Sequence, residues 1–258
     1  MRSADSLSCL IGYSGFVGGN LFSGRRFTDL YRSVNIRDIE GREYDLVVCA
    51  GVTAAKYIAN RDPEKDLADI ETLLSSLEKV VADRFVLVST IDVFPNPSGV
   101  DEDTEPDRKN HPYGQHRLLV EDCVRGAFPN HLIVRLSGLF GPGLKKNIIF
   151  DLIHDNNLER IHPDGTYQYY SVARLAGDID RATDAGLELL HVATEPVRTA
   201  EIVDAFFPGK TIGAAASLPA SYDFRSRHAA LWGKSGPYLY DKKEIMTDLG
   251  AFLRRTEV

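Results

Sequence analysis

Tyr113 and Arg117 lie four residues apart in Pro112-Tyr113-Gly114-Gln115-His116-Arg117, and Thr90 closes the apolar run Phe85-Val86-Leu87-Val88-Ser89. On a helix, residues four apart share a face, so this spacing stacks a phenol and a guanidinium. A hydroxyl at the end of a strand can reach the same cleft. A tyrosine has an ordinary pKa near 10, and acting at neutrality takes roughly 4 kcal/mol of preferential stabilisation of its phenolate. A neighbouring cation contributes to that. A hydroxyl donor beside the phenol would hold a carbonyl oxygen and stabilise the charge that develops on it. The three residues therefore predict proton transfer at a carbonyl, with Tyr113 as the acid or base, Thr90 as its partner and Arg117 as the supporting cation.

A second group of residues predicts what works beside them. Cys9-Leu10-Ile11-Gly12-Tyr13-Ser14-Gly15-Phe16-Val17-Gly18 joins an apolar strand to a glycine-punctuated turn and then to a helix. Gly12 lets the chain turn off the strand, Gly15 lets the backbone approach a pyrophosphate, and Gly18 lets the helix pack closely. Backbone N–H groups at a helix start then face the phosphates, so Gly12, Ser14, Gly15, Phe16, Val17 and Gly18 form a candidate dinucleotide cradle. The spacing, G-x-x-G-x-x-G, is one residue longer in its first interval than the common dinucleotide fingerprint. At the end of the second strand an acid selects NAD and an arginine accommodates the 2′-phosphate of NADP. Asp38 lies at the distance for the first, but the strand finishes earlier and presents Arg32 and Ser33, which favours NADP over NAD.

These groups need a scaffold, and the chain has the size for one. It has 258 residues, 43% of them hydrophobic and 26% charged, as in an ordinary globular protein. A net charge of −7 argues against non-specific binding to nucleic acid or an anionic membrane, both of which depend on clustered positive charge. No run approaches the roughly 18 apolar residues of a membrane span, and the start, MRSADSLS, has no apolar leader core; a cytoplasmic location is expected. Cys9, Cys49 and Cys123 are odd in number and lie mostly in apolar runs, which predicts buried free thiols. No histidine or cysteine spacing suits a metal, and none is expected.

Apolar runs at Ser8–Ile11, Leu30–Val34, Leu46–Ala50, Phe85–Ser89 and His131–Leu136 alternate with helical patterns at Gly19–Gly24, Glu64–Ala82 and Tyr113–Arg125. This alternation predicts an α/β fold, a doubly wound parallel sheet, with ligands beyond the carboxyl ends of its strands. Residues 1–143 form the expected dinucleotide-binding core. Residues 144–258 form a smaller substrate lobe, interleaved with the last core strands near 186–205, one of them near Leu189–Val192.

In this order the motifs resemble the extended short-chain dehydrogenase/reductase family, also called the NAD-dependent epimerase/dehydratase family. The glycine loop resembles its phosphate loop, Asp45-Leu46-Val47-Val48-Cys49-Ala50-Gly51 its Asp-Val-Val-Ile-His-Leu-Ala-Ala strand, and Ser89-Thr90-Ile91-Asp92-Val93-Phe94 its Ser/Thr strand. Pro112-Tyr113-Gly114 resembles the start of its Tyr-x-x-x-Lys helix, and Arg135-Leu136 through Phe140-Gly141-Pro142-Gly143 its following strand and turn. The resemblance spans roughly residues 7–205 and implies a Rossmann-like fold. By that resemblance Ala50 and Gly51 pass beneath the cofactor, Asn35 and Ile36 flank its adenine, and Ser89, Tyr113, Arg117, Leu136 and Ser137 line its nicotinamide end. Thr90 and Ser137 would meet the substrate. In an acidic protein a nucleotide-sugar pyrophosphate needs local cations, and Lys146, Arg225 and Arg227 are the candidates, with Lys145 and Arg174 behind them. A solvated basic turn is the plain alternative for each.

Two departures bear on the chemistry. Arg117 stands where the family has lysine; arginine keeps the charge but does not release a proton. Ile91 stands where the dehydratases have an acid, which disfavours elimination of water. The Ser-Thr-x-x-Val-Phe pattern is closest to the family's 4-keto-deoxysugar nucleotide reductases. The resemblance therefore implies an NAD(P)-dependent oxidoreductase that reduces a keto group on an activated sugar, with Tyr113 as proton donor. An epimerase with tightly held NAD, or a catalytically weak NAD(P)-binding sensor, are the alternatives. The helices at Glu64–Ala82 and Tyr113–Arg125 are where the family forms a homodimer, which is expected here too. The region after 143 is short for the family and leaves room for a smaller substrate.

Overall fold

A computed structural model describes residues 6–213 and 218–256; residues 1–5, on which part of the leader reading falls, lie outside the described residues. In chain order the strands are β1 (Ser8–Ile11), β2 (Asp29–Tyr31), β3 (Glu43–Cys49), β4 (Val81–Thr90), β5 (His131–Leu136), β6 (Gly138–Phe140), β7 (Thr166–Tyr167), β8 (Tyr169–Ser171), β9 (Leu189–Val192) and β10 (Val197–Arg198). The α-helices are α1 (Phe16–Gly24), α2 (Lys56–Arg61), α3 (Pro63–Leu77), α4 (Pro112–Ala127), α5 (Ile148–His154), α6 (Leu175–Asp184), α7 (Thr199–Phe206) and α8 (Lys242–Thr256).

Six strands form the central parallel sheet in the order β2-β1-β3-β4-β5-β9. The order reverses at β1, whose neighbours are β2 on one side and β3 on the other. A crevice opens at such a point beyond the strands' carboxyl ends. The near-continuous apolar character of β1, β3 and β5 follows from burial on both faces.

The chain divides into two compact units. The first comprises Met1–Pro95, Glu105–Arg135 and Ala173–Leu190. Its core joins Ile11, Val47, Phe85 and Ile133 from the sheet to Ile70, Leu73 and Leu77 of α3 and to Val120 and Val124 of α4. The apolar stripes of both helices are thus taken up by the sheet. Cys9 and Cys49 are buried free thiols, and burial pushes the Cys49 thiol up to about 11.

Helix α3 starts where the Asp62 carboxylate accepts the Lys65 N–H at 3.2 Å, with Pro63 in its first turn. The apolar spacing predicts a helix as far as Ala82, but α3 stops at Leu77. Val81 and Ala82 instead pair with Glu43 and Tyr44 of β3; strand pairing and the β-branched Val80-Val81 override the helical period.

The second unit comprises Asn96–Thr104, Leu136–Val172 and His191–Val258. Within it β6 pairs with β8 in parallel and β7 with β10 antiparallel. The buried Gln168 amide ties it together, donating to the carbonyls of Thr194 at 2.5 Å and Phe224 at 2.6 Å and accepting the Phe224 N–H at 2.7 Å. The Glu102 carboxylate does the same for a neighbouring turn, accepting from the backbone of His191 and Arg227 and from the Ser226 hydroxyl. Among the described residues no helix is long and apolar enough to cross a membrane.

Candidate active site

The glycine turn between β1 and α1 is built from backbone packed on backbone. Gly12 has φ +86°, and a Cβ on it would lie 2.4 Å from the Ala50 carbonyl oxygen. One on Gly18 would lie 2.0 Å from the Gly12 carbonyl oxygen. The ends of three strands are knitted here: the Gly12 N–H donates to the Tyr31 carbonyl at 2.7 Å, and the Ala50 N–H to the Ile11 carbonyl at 2.9 Å. Gly15 precedes α1 in extended conformation with no side chain capping the helix, so the first N–H groups of α1 are left for a ligand. Ser14 and Gly15 are exposed, and Phe16 and Val17 partly so. An anionic pyrophosphate fits this arrangement.

Thr90, Tyr113 and Arg117 come together where β4 ends and α4 begins. Several contacts set the first turn of α4. His111 caps it, its Nδ1 accepting the Gly114 N–H at 3.0 Å. The Tyr113 N–H donates to Asn60 Oδ1 at 2.9 Å, which ties α4 to α2. The Asn110 amide donates to the carbonyls of Asp92 at 2.8 Å and Val93 at 3.0 Å, clamping the approach to α4 onto the end of β4. A Cβ on Gly114 would lie 2.4 Å from the Asp92 carbonyl oxygen, so the residue after the tyrosine must be small.

Tyr113 is buried, and the Arg117 guanidinium stands over its ring at 4.3 Å from the centroid. Arg117 and the Thr90 hydroxyl both act on the phenol in the direction that favours its phenolate. Burial pushes the phenol above the ordinary tyrosine value; the Arg117 charge pulls the other way and does not overturn it. Without a bound cation the phenol therefore stays protonated at neutral pH. Burial and the nearby Lys56 charge hold His111 below the ordinary histidine value, which suits the unprotonated nitrogen that its capping role requires.

Arg117 is committed on its far side. Its two terminal nitrogens each donate to one Asp66 oxygen at 2.9 Å, and one of them also meets the Thr53 carbonyl. His116 Nδ1 lies 2.8 Å from the same carboxylate. Burial would raise the Asp66 carboxyl, but hydrogen bonds from Arg117 and then His116 hold it below the usual aspartate value. Arg117 Nε is buried with no partner among the described residues, a donor suited to a ligand hydroxyl. The orphan donor, the glycine cradle and the bare start of α1 all fit a dinucleotide.

Sequence reasoning did not single out Asp66, Asn60, Asn110, Lys56 or Glu121. Two of them carried a signal. Asp66 falls on the apolar stripe of α3 at helical spacing from Ile70, Leu73 and Leu77, and Glu121 follows Tyr113 and Arg117 by a further turn beside Val120 and Val124. An acid in an apolar stripe needs a buried partner. Glu121 finds Arg135, with bonds at 3.0 and 2.6 Å, and the Ser89 hydroxyl donates to it at 2.6 Å.

The other predicted residues are placed as follows. Arg32 and Ser33 are exposed just past β2, and no carboxylate among the described residues pairs with Arg32. The Asn35 side chain accepts the Arg32 N–H at 2.8 Å and donates to the Leu30 carbonyl at 3.1 Å, so it shapes that turn. Ile36 is buried in the core, and Leu136 is buried at the end of β5. A Cβ on Gly51 would lie 2.8 Å from the Ile11 side chain. In the second unit the Ser137 hydroxyl is buried with no partner among the described residues, and Lys146 is exposed. Arg225 pairs with Asp223 and Arg227 with Asp103.

The sequence profile of the NAD dependent epimerase/dehydratase family matches residues 25–172. The chain belongs to this family. Its members are enzymes that work through a nicotinamide cofactor, and the family's fold is the one described above. No curated protein compared with the chain matches its sequence. Solved structures share the fold over nearly their whole length. A dTDP-4-dehydrorhamnose reductase from Clostridium acetobutylicum has TM-score 0.74 at 14% identity, covering 97% of this chain and 99% of that one. One from Bacillus anthracis in complex with NADP has TM-score 0.71 at 18% identity, with coverage of 97% and 99%. MoeE5 in complex with UDP-glucuronic acid and NAD has TM-score 0.70 at 17% identity, again with coverage of 97% and 99%.

Proposed function

We propose that this family member reduces the keto group of a nucleotide-activated deoxysugar with NADPH, and that Tyr113 donates the proton. The observation that carries this reading is the convergence of Thr90, Tyr113 and Arg117 at the carboxyl end of β4. The bound nicotinamide supplies the hydride. The Thr90 hydroxyl holds the carbonyl oxygen, and the Tyr113 phenol, protonated at neutral pH, gives its proton to that oxygen as charge develops there. The Arg117 cation over the ring stabilises the phenolate left behind. Asp66 holds Arg117 in that position. Ile91, at the place of the dehydratase acid, leaves elimination of water without its donor.

Arg32, exposed at the end of β2 and without a carboxylate partner among the described residues, takes the 2′-phosphate of NADP. Lys146, Ser137, Arg225 and Arg227 are the residues proposed to meet the nucleotide sugar. The dTDP-4-dehydrorhamnose reductase likeness makes dTDP-4-dehydrorhamnose the first substrate to assay. Wild type is expected to oxidise NADPH in its presence, and Tyr113→Phe to lose turnover while still binding NADPH. Tyr113→Phe at full rate would overturn the assignment. Sugar interconversion without net NADPH oxidation would mean an epimerase instead.

A further inference from the structure

Each reduction leaves Tyr113 as a phenolate that must recover a proton before the next turnover. Position 117 is the family's basic residue beside that phenol, but here it is an arginine, which does not release a proton, and its terminal nitrogens are fixed on Asp66 and the Thr53 carbonyl. Another chain of groups starts at the same phenol. The Thr90 hydroxyl stands beside the Tyr113 phenol and favours its phenolate. It also accepts the Asp92 N–H at 3.1 Å and donates towards Asp92 Oδ2 at 3.4 Å. With one acceptor site taken by that N–H, and its proton directed to the carboxylate when no substrate carbonyl is bound, the hydroxyl has one lone pair left for the phenol. The other oxygen of Asp92 accepts from Lys56 Nζ at 2.6 Å. The Lys56 side chain is 42% exposed and that of Asp92 26%, so the chain of groups runs from a buried phenol to water.

We propose that Thr90, Asp92 and Lys56 form the path by which Tyr113 regains its proton from solvent after each reduction. The inference rests on the reductase reading above. Once product has left, the Lys56 ammonium gives a proton to the Asp92 carboxylate, the Asp92 carboxyl passes a proton to Thr90, and the Thr90 O–H bond breaks as the Tyr113 O–H bond forms. Water then reprotonates the Lys56 amine, and the net change is one proton taken from solvent by one phenolate. The groups facing these residues are few. Arg117 faces the phenol from α4, Asp92 from the end of β4, and His111 and Lys56 face Asp92 from the approach to α4 and from α2. His111 is not an equal route, because its Nδ1 is held by the Gly114 N–H.

The test compares wild type, Asp92→Asn, Lys56→Met and Lys56→Arg with NADPH and dTDP-4-dehydrorhamnose. Each substitution is expected to lower kcat about tenfold or more, to leave kcat/KM and NADPH affinity unchanged, and to raise the solvent deuterium isotope effect on kcat. The isotope effect from deuterated NADPH should fall at the same time, as reprotonation becomes slowest. Lys56→Arg is decisive, since it keeps the ion pair with Asp92 but not an amine that gives up a proton; wild-type kcat in that variant would overturn the relay. Unchanged isotope effects in Asp92→Asn would also overturn it. No turnover in wild type, or turnover indifferent to Tyr113→Phe, defeats the reductase reading instead. Titration of the Tyr113 phenol, followed by 13C-labelled tyrosine, then decides whether the groups are coupled. Its midpoint should fall in Asp92→Asn and rise in Lys56→Met, and a midpoint unmoved in both overturns the proposal without any substrate.

Discussion

The Arg117 guanidinium carbon lies 4.3 Å from the centre of the Tyr113 ring, one helical turn away on α4. A cation at that distance favours the phenolate electrostatically, and Asp66 prevents it from swinging elsewhere. The ion pair is nearly inaccessible to water, with 4% of the Arg117 side chain and 7% of the Asp66 side chain exposed. The site's cation is therefore also a structural member of the fold, and the two roles separate experimentally.

Arg117→Ala leaves the Asp66 carboxylate buried with only His116 beside it. Removing one partner of a buried ion pair costs about 3–5 kcal/mol, and urea denaturation should show a loss of that size. A loss under about 1 kcal/mol would fit an exposed pair and would mean that water reaches the carboxylate.

The same pair predicts how stability depends on acid. Asp66 has a lower pKa folded than unfolded, so it contributes stability that is fully present above the unfolded value of 3.8 and is lost as pH falls through the lower folded value. Wild type and Asp66→Asn should therefore differ most near neutrality and converge under acid. Denaturation midpoints of the two proteins, measured from neutral pH into the acid range, check this. A constant difference across the range would show that Asp66 does not titrate as described.

Two neighbouring glycines separate close packing from helix propensity. A Cβ on Gly18 would lie 2.0 Å from the Gly12 carbonyl oxygen, whereas on Gly19 its nearest contact is the Tyr13 carbonyl oxygen at 3.5 Å. Gly18→Ala should destabilise the protein and abolish NADPH binding. Gly19→Ala, in a helix interior, should keep binding and gain up to about 1 kcal/mol. Thermal melts and NADPH titrations of the two variants are sufficient, and equal behaviour would contradict the packing of α1 on the turn.

Much of this was legible in the sequence because the signals were local. Ser8–Ile11 and His131–Leu136 are strands with the bounds their apolar runs predict, and the Tyr113–Arg117 spacing places both side chains on one helical face. Less legible was whatever depends on a partner distant in the chain. Asp66 lies 51 residues from Arg117, and nothing near Arg117 announces that its nitrogens are taken. The Ser89 hydroxyl, beside its reading by resemblance as a cofactor residue, donates to Glu121, 32 residues away. Val81 and Ala82 carry a helical period but follow β3 into the sheet. In each case a long-range contact decides between local readings that are equally good.

Burial of the Tyr113 phenol sets the last expectation. The phenol donates a proton in the proposed reduction, so it must be protonated in the complex that starts the reaction. Its pKa is raised above the ordinary 10.0 by burial, despite Arg117, and reduced NADPH brings no nicotinamide cation to lower it. As pH rises, kcat for reduction should therefore not fall through loss of this proton until the ordinary tyrosine range near 10 is passed. Oxidation in the reverse direction needs the phenolate and starts from NADP, whose nicotinamide is cationic; its rate should rise with pH through a lower midpoint. Steady-state pH profiles in the two directions measure both limbs. A reduction rate that falls near neutrality, with the protein still folded, would place the proton on a group other than Tyr113.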